Sequence, residues 1–122
     1  MVTDNNLEVF INNLNQFYKL PVGYKASQTF DLGFDLSVVD TFFTWINGGE
    51  LCILNQSELI MPFDYIKREK INFWFSVPTL ANFIYKMNFL KVNSFPDLQY
   101  SLFCGEGLPK GLTDAWQGAA PN

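Results

Sequence analysis

The chain has 122 residues, 48% of them hydrophobic and 17% aromatic, with a formal net charge of −4, a pI near 4.5 and no histidine. That much apolar material is enough for the core of one compact domain and excludes a disordered chain. Eight Lys plus Arg, with no run beyond Lys67-Arg68, leave no basic footprint for nucleic acid or an anionic membrane surface.

In chain order, Leu7, Phe10, Ile11, Leu14, Phe17 and Tyr18 recur at three- and four-residue intervals, which predicts an amphipathic helix that Thr3 or Asp4 can cap. Pro21 and Gly23 end it, and residues 24–30 read as a strand. Between Thr29 and Asp40 this extended segment turns abruptly into a helix, with Asp35 at the corner. From Leu36 to Ile46 the apolar residues cover nearly the whole helical circumference, which predicts burial on several sides until Gly48-Gly49 stops the helix.

Residues 50–54 then read as a buried strand, and Pro62 with Asp64 opens a brief helix that runs to Glu69. Residues 73–77 form a third predicted strand. Pro78-Thr79 turns it into a helix with Leu80, Phe83, Ile84 and Met87 on one face and Thr79 as the expected cap. After a loop at 93–96, residues 98–104 read as a fourth strand. Gly105-Glu106-Gly107-Leu108-Pro109 then leads tightly into a last helix with Leu112, Ala115, Trp116 and Ala119 inward.

One helix followed by four strand–helix units, with strands too apolar for a wet face, predicts an α/β fold of three layers: a mostly parallel sheet with helices on both faces. The whole of 1–122 is expected to be a single α/β segment. Right-handed crossovers put the strand ends together, so the corners at 34–37, 76–79 and 104–109 should converge at the carboxyl edge, where such sheets bind ligands. Cys52 and Cys104, far apart and each in an apolar run, have neither metal-ligand nor disulfide-framework spacing and read as reduced thiols. No signal-peptide pattern opens the chain. No apolar run approaches the roughly 18 to 20 residues of a membrane span. A cytoplasmic setting with no membrane insertion is the expectation.

Phe34-Asp35-Leu36-Ser37 resembles the Phe-Asp-x-Ser core motif of adenylate-forming enzymes, the superfamily of acyl-CoA synthetases, luciferases and the amino-acid adenylation domains of peptide synthetases. Trp74-Phe75-Ser76-Val77-Pro78-Thr79 and Phe103-Cys104-Gly105-Glu106-Gly107-Leu108-Pro109 resemble especially the D-alanine ligases that charge a carrier protein for teichoic-acid modification. The likeness extends over nearly the whole chain. It implies that the family's phosphate loop with its lysine belongs before Met1 and its Tyr-Gly-Pro-Thr-Glu motif after Asn122. The ribose-binding aspartate and the mobile C-terminal domain with its catalytic lysine are likewise outside these 122 residues. The chain is therefore expected to be a middle portion of the large N-terminal domain.

By itself Asp35 reads as a helix cap. The resemblance implies instead that it pairs with a substrate ammonium, a task for which a carboxylate at the mouth of an apolar pocket is suited, because partial desolvation strengthens the pair. The resemblance further implies that Leu36, Val39, Phe75, Leu102 and Cys104 wall a pocket for a small amino acid, and that Gly105, Glu106 and Gly107 lie against adenine. Without it, Cys104 is a small core residue and not a nucleophile, Gly105-Glu106-Gly107 is a strand-to-helix turn, Phe34 is core and Ser37 bonds within its own first turn.

Three function classes follow. The first is a portion of a ligase that uses ATP, with Mg2+ in the whole enzyme, to activate an amino acid such as D-alanine and pass it to a carrier-protein thiol. The others are an acyl-CoA-synthetase-type portion that activates a carboxylic acid, and a self-contained α/β interaction protein. With no histidine, metal-ligand spacing or phosphate loop, and no residue assigned a catalytic role, the chain alone is expected to be inactive.

Overall fold

The structure, a computed structural model, describes residues 3–121. Helix α1 (Asp4–Phe17) opens with a capping box: the Asn6 amide donates to Thr3 Oγ1 at 3.3 Å, and the Thr3 amide to Asn6 Oδ1 at 3.0 Å. Strand β1 (Lys25–Gln28) follows, then a π-helical segment (Val39–Phe43) running into helix α2 (Thr44–Ile46). Strand β2 (Glu50–Ile53), helices α3 (Gln56–Ile60) and α4 (Phe63–Glu69), strand β3 (Phe73–Ser76), helix α5 (Pro78–Lys86), strand β4 (Tyr100–Phe103) and helix α6 (Lys110–Ala119) complete the order.

All four strands are parallel, in the spatial order β2-β1-β3-β4. Two apolar clusters fill its two faces, so the expected three-layer architecture is what forms. On one face Ile11 of α1, Val39 and Phe43 of the π segment, and Phe73 and Phe75 of β3 pack together. On the other, Trp74 meets Ile66, Ala81, Ile84, Leu112 and Trp116 of helices α4, α5 and α6. Successive β3 side chains thus alternate between the layers, and every β3 residue is buried. No helix of the described residues is long and apolar enough to cross a membrane.

Several expectations need correction. β2 is an edge strand rather than a buried one, and its Ile53 is 67% exposed. The helical stretch ending at Ile46 is covered on one side only: Val39, Asp40, Thr41, Phe43 and Thr44 are buried, while Trp45 and Ile46 are about 60% exposed. Cys104 is exposed beyond the end of β4 and is not a core residue. Helix α3 was unforeseen because none of its five residues is buried, so it carries no apolar period. Its capping box, Asn55 with Glu58, is the one local signal it offers.

Glycine is needed where α2 gives way to β2. Gly48 has φ +67°, and a Cβ on Gly49 would lie 2.8 Å from the Tyr24 ring, so the pair both ends the helix and lets β2 close onto β1.

Candidate functional site

The sheet is wound in two directions from β1: the chain leaves it for β2 on one side and returns to place β3 on the other. That reversal makes the β1/β3 boundary a topological switch point, where a crevice opens beyond the carboxyl ends of the strands. The two strands part there. Their register comprises only Ala26 with Phe73, against four residue pairs on each of the other two boundaries. Side-chain hydroxyls stand in for the missing ladder. Ser27 Oγ accepts from the Phe75 amide at 3.3 Å, and Thr29 Oγ1 donates to the Phe75 carbonyl.

Over this gap lies a cleft of about 410 Å³. Thr29, Phe30, Asp31, Phe34 and Leu36 line one side, and Val77, Leu80, Gly105 and Glu106 the other. The Asp31 carboxylate accepts from the Gly33 amide at 2.8 Å, which folds the loop into an Asx turn. Ser37 does not bond forward into its helix. Its hydroxyl donates to the Phe34 carbonyl at 2.6 Å and closes the corner from behind.

All three corners expected at this edge meet there. The Cys104 amide donates to the Ser76 carbonyl at 3.2 Å, and the Glu106 carboxylate accepts from both the amide (3.0 Å) and the hydroxyl of Thr79. Thr79 is therefore not the cap of α5. Val77 occupies the N-cap position without a side-chain bond, Pro78 begins the helix, and Glu106 supplies the missing acceptor from a loop 27 residues away. Gly105, with φ +91°, makes the turn that brings Glu106 there. Loss of this acceptor in Glu106→Ala should cost about 1 kcal/mol, typical of a helix cap, and Glu106→Gln should cost less. Thermal unfolding of the two variants measures the difference.

Of the residues that the sequence singled out, Leu36, Gly105 and Glu106 line the cleft. Asp35, in the chain between Phe34 and Leu36, is exposed and is not itself a lining residue of the cleft, and among the described residues its carboxylate has no hydrogen-bond partner, so it does not cap the helix. Val39, Phe75 and Leu102 pack in the apolar layer beneath, with the Phe30 and Phe75 rings 4.8 Å apart. Cys104 and Gly107 are exposed on the loop after β4. Among the described residues no group of three or more His, Cys, Asp or Glu side chains could hold a metal ion.

Sequence reasoning missed Asp40. It is 1% exposed, its Oδ2 accepts from the amides of Thr29 (3.0 Å) and Phe30 (3.2 Å), and its buried Oδ1 has no partner among the described residues. Burial raises its pKa from 3.8 to about 7, against the lowering effect of the bonds from Phe30 and Thr29. The signal was a lone acid inside the apolar run Val38–Phe43, which a buried helix tolerates only with partners. Thr29, Phe30, Asp31, Val77 and Leu80 were missed as cleft walls.

A doubly wound sheet with its cleft at the switch point defines a nucleotide- or small-ligand-binding α/β architecture. The model of the AMP-binding enzyme family matches residues 1–122, and the chain belongs to that family. It is 32% identical over 113 residues to the D-alanine–D-alanyl carrier protein ligase of Listeria welshimeri and 29% identical over 111 residues to that of Bacillus cytotoxicus. These matches cover 89% and 88% of this chain but only 22% of each relative, so the chain spans about a fifth of the length of these curated relatives. Among solved structures, the Vibrio cholerae adenylation domain AlmE, in complex with glycyl-adenosine-5'-phosphate, superposes with a TM-score of 0.93 at 32% identity. That superposition covers 98% of this chain and 23% of AlmE.

Proposed function

We propose that this chain is the portion of an ATP-dependent amino-acid-activating ligase that holds the amino acid and the adenine. In the whole enzyme an amino-acid carboxylate oxygen attacks the α-phosphorus of ATP, the bond to the bridging oxygen of pyrophosphate breaks, and an aminoacyl adenylate forms. The thiol of a carrier protein then attacks the acyl carbon and releases AMP. Mg2+ belongs with the ATP phosphates, and the described residues of this chain bring no acidic cluster to it. A cytoplasmic setting is part of the same reading.

The observation that carries the proposal is the exposed, uncommitted Asp35 carboxylate, carried in the chain between Phe34 and Leu36, which line a largely apolar cleft at the switch point. A zwitterionic amino acid needs a counter-charge for its ammonium, and that carboxylate is not held by any protein group among the described residues. Leu36 then faces the substrate side chain, while Val39, Phe75 and Leu102 set the floor and Cys104 closes the end nearest β4. Gly105, Glu106 and Gly107 receive the adenine, because a glycine-rich backbone lets a flat ring approach closely. A small side chain such as that of D-alanine suits a cleft whose floor is closed by paired aromatic rings. The names of the ligase relatives and the glycyl adenylate of AlmE support the amino-acid class.

ATP–pyrophosphate exchange tests this function. The full-length polypeptide that carries this segment is expected to exchange with a small amino acid. The 122-residue chain alone is expected to show none, because phosphate positioning, on which phosphoryl-type transfer depends, lies outside it. Exchange with fatty acids and not with amino acids would replace this reading by an acyl-CoA-synthetase type. Exchange by the purified chain alone would show that it is catalytically complete.

A further inference from the structure

Asp40 is a buried acid to which the adenylation chemistry assigns no task, yet it joins the parts of the chain that form the cleft. β1 ends at Gln28, so the Thr29 and Phe30 amides point out of the sheet at the place where β1 and β3 part. One carboxylate oxygen, Asp40 Oδ2, takes both. Thr29 in turn bonds the Phe75 carbonyl through its hydroxyl, and the Phe30 ring packs on the Phe75 ring. Asp40 itself lies in the π segment next to Val39 and one turn beyond Leu36. A single side chain thereby ties the helix bearing Leu36 and Val39, the β1 exit bearing Thr29, Phe30 and Asp31, and β3 bearing Phe75.

An apolar residue here would leave two amides, one buried and one partly buried, without acceptors at the wall of the cleft. A carboxylate is an expensive solution, since its second oxygen is buried without a partner, and π turns of this kind recur at functional sites. We propose that Asp40 is a positioning residue for the amino-acid half of the site: by holding the Thr29 and Phe30 amides it fixes the distance between the β1 exit and the Leu36 wall, and so the size of side chain accepted. Its role in catalysis rests on the adenylation reading, whereas the brace itself stands on geometry alone.

The test uses the full-length polypeptide that carries this segment. Asp40→Leu, which keeps the volume and removes the acceptor, should raise KM for the amino acid about tenfold or more, the scale of a small misplacement, and leave KM for ATP unchanged. Asp40→Asn, which keeps an acceptor oxygen, should restore KM to within about threefold of wild type. An equal rise in both KM values, or an Asn variant as poor as the Leu variant, would overturn the proposal.

Hydrogen–deuterium exchange resolved to single residues in the wild type decides the brace where Asp40→Leu does not fold. The Thr29 and Phe30 amides, although outside the β1 ladder, should exchange about 100-fold more slowly than unprotected loop amides. Exchange at the loop rate would overturn the proposal. Slow exchange in a polypeptide that adenylates nothing would leave the brace standing and refute only the adenylation reading.

Discussion

Replacement of Asp35 by alanine in the full-length polypeptide that carries this segment is expected, on the proposed amino-acid-activating function, to lower kcat/KM for D-alanine about 30-fold, while propionate, its analogue without the amino group, is used as poorly as before. Removal of one partner of a buried hydrogen-bonded charge pair costs about 2 to 5 kcal/mol and of an exposed pair about 1 kcal/mol or less. Asp35, exposed here and only partly desolvated by a bound substrate, is therefore expected near the foot of the buried range. About 2 kcal/mol corresponds to the 30-fold loss. The thermal midpoint should hardly move, because the carboxylate has no hydrogen-bond partner among the described residues whose loss would weaken the fold. Equal proportional losses for the two substrates would show that Asp35 does not read the ammonium and would favour a carboxylic acid as the substrate.

The second large effect is on stability. Asp40 titrates near 3.8 when unfolded and near 7 when folded, so between those values the native state holds the proton that the unfolded state has released. Stability therefore falls as pH rises from about 4 to about 7 and is level above that, and the displacement is worth about 4 kcal/mol. Glu58 and Glu69, held down by hydrogen bonds from Arg68, act in the opposite sense, but only as pH falls below the ordinary glutamate range. Asp40→Asn cannot titrate. The difference in melting temperature between wild type and Asp40→Asn should shift in favour of the variant by about 15 °C across this window. A constant offset between pH 4 and pH 8 would show that Asp40 is ionised in the native state throughout.

The corner at Phe34-Asp35-Leu36-Ser37 and the turns at Pro78 and Gly105 were legible because each is written in adjacent residues. The three layers were legible because an apolar strand such as Phe73–Ser76, between amphipathic helices, has few other ways to be buried. What escaped depends on partners distant in sequence. The edge position of β2 follows from the strand order, which no local pattern encodes, and exposes Ile53. Glu106 caps α5 from 27 residues away, so Thr79 had the wrong role. In the sequence Asp40 is no more than an acid within an apolar run, because its partners, Thr29 and Phe30, lie eleven and ten residues upstream on another element. The floor formed by Val39, Phe75 and Leu102 could be read as apolar, while its place beneath the cleft required the fold.

The structure of the full-length polypeptide with a non-hydrolysable D-alanyl adenylate analogue would decide whether this cleft holds the amino acid and the adenine. The ligand ammonium is expected about 3 Å from the Asp35 carboxylate, as in a charge-assisted hydrogen bond, with the methyl group toward Leu36 and the adenine against the backbone of Gly105, Glu106 and Gly107. An ammonium held by another group, or an adenylate bound outside the cleft between Phe34 and Glu106, would contradict this assignment.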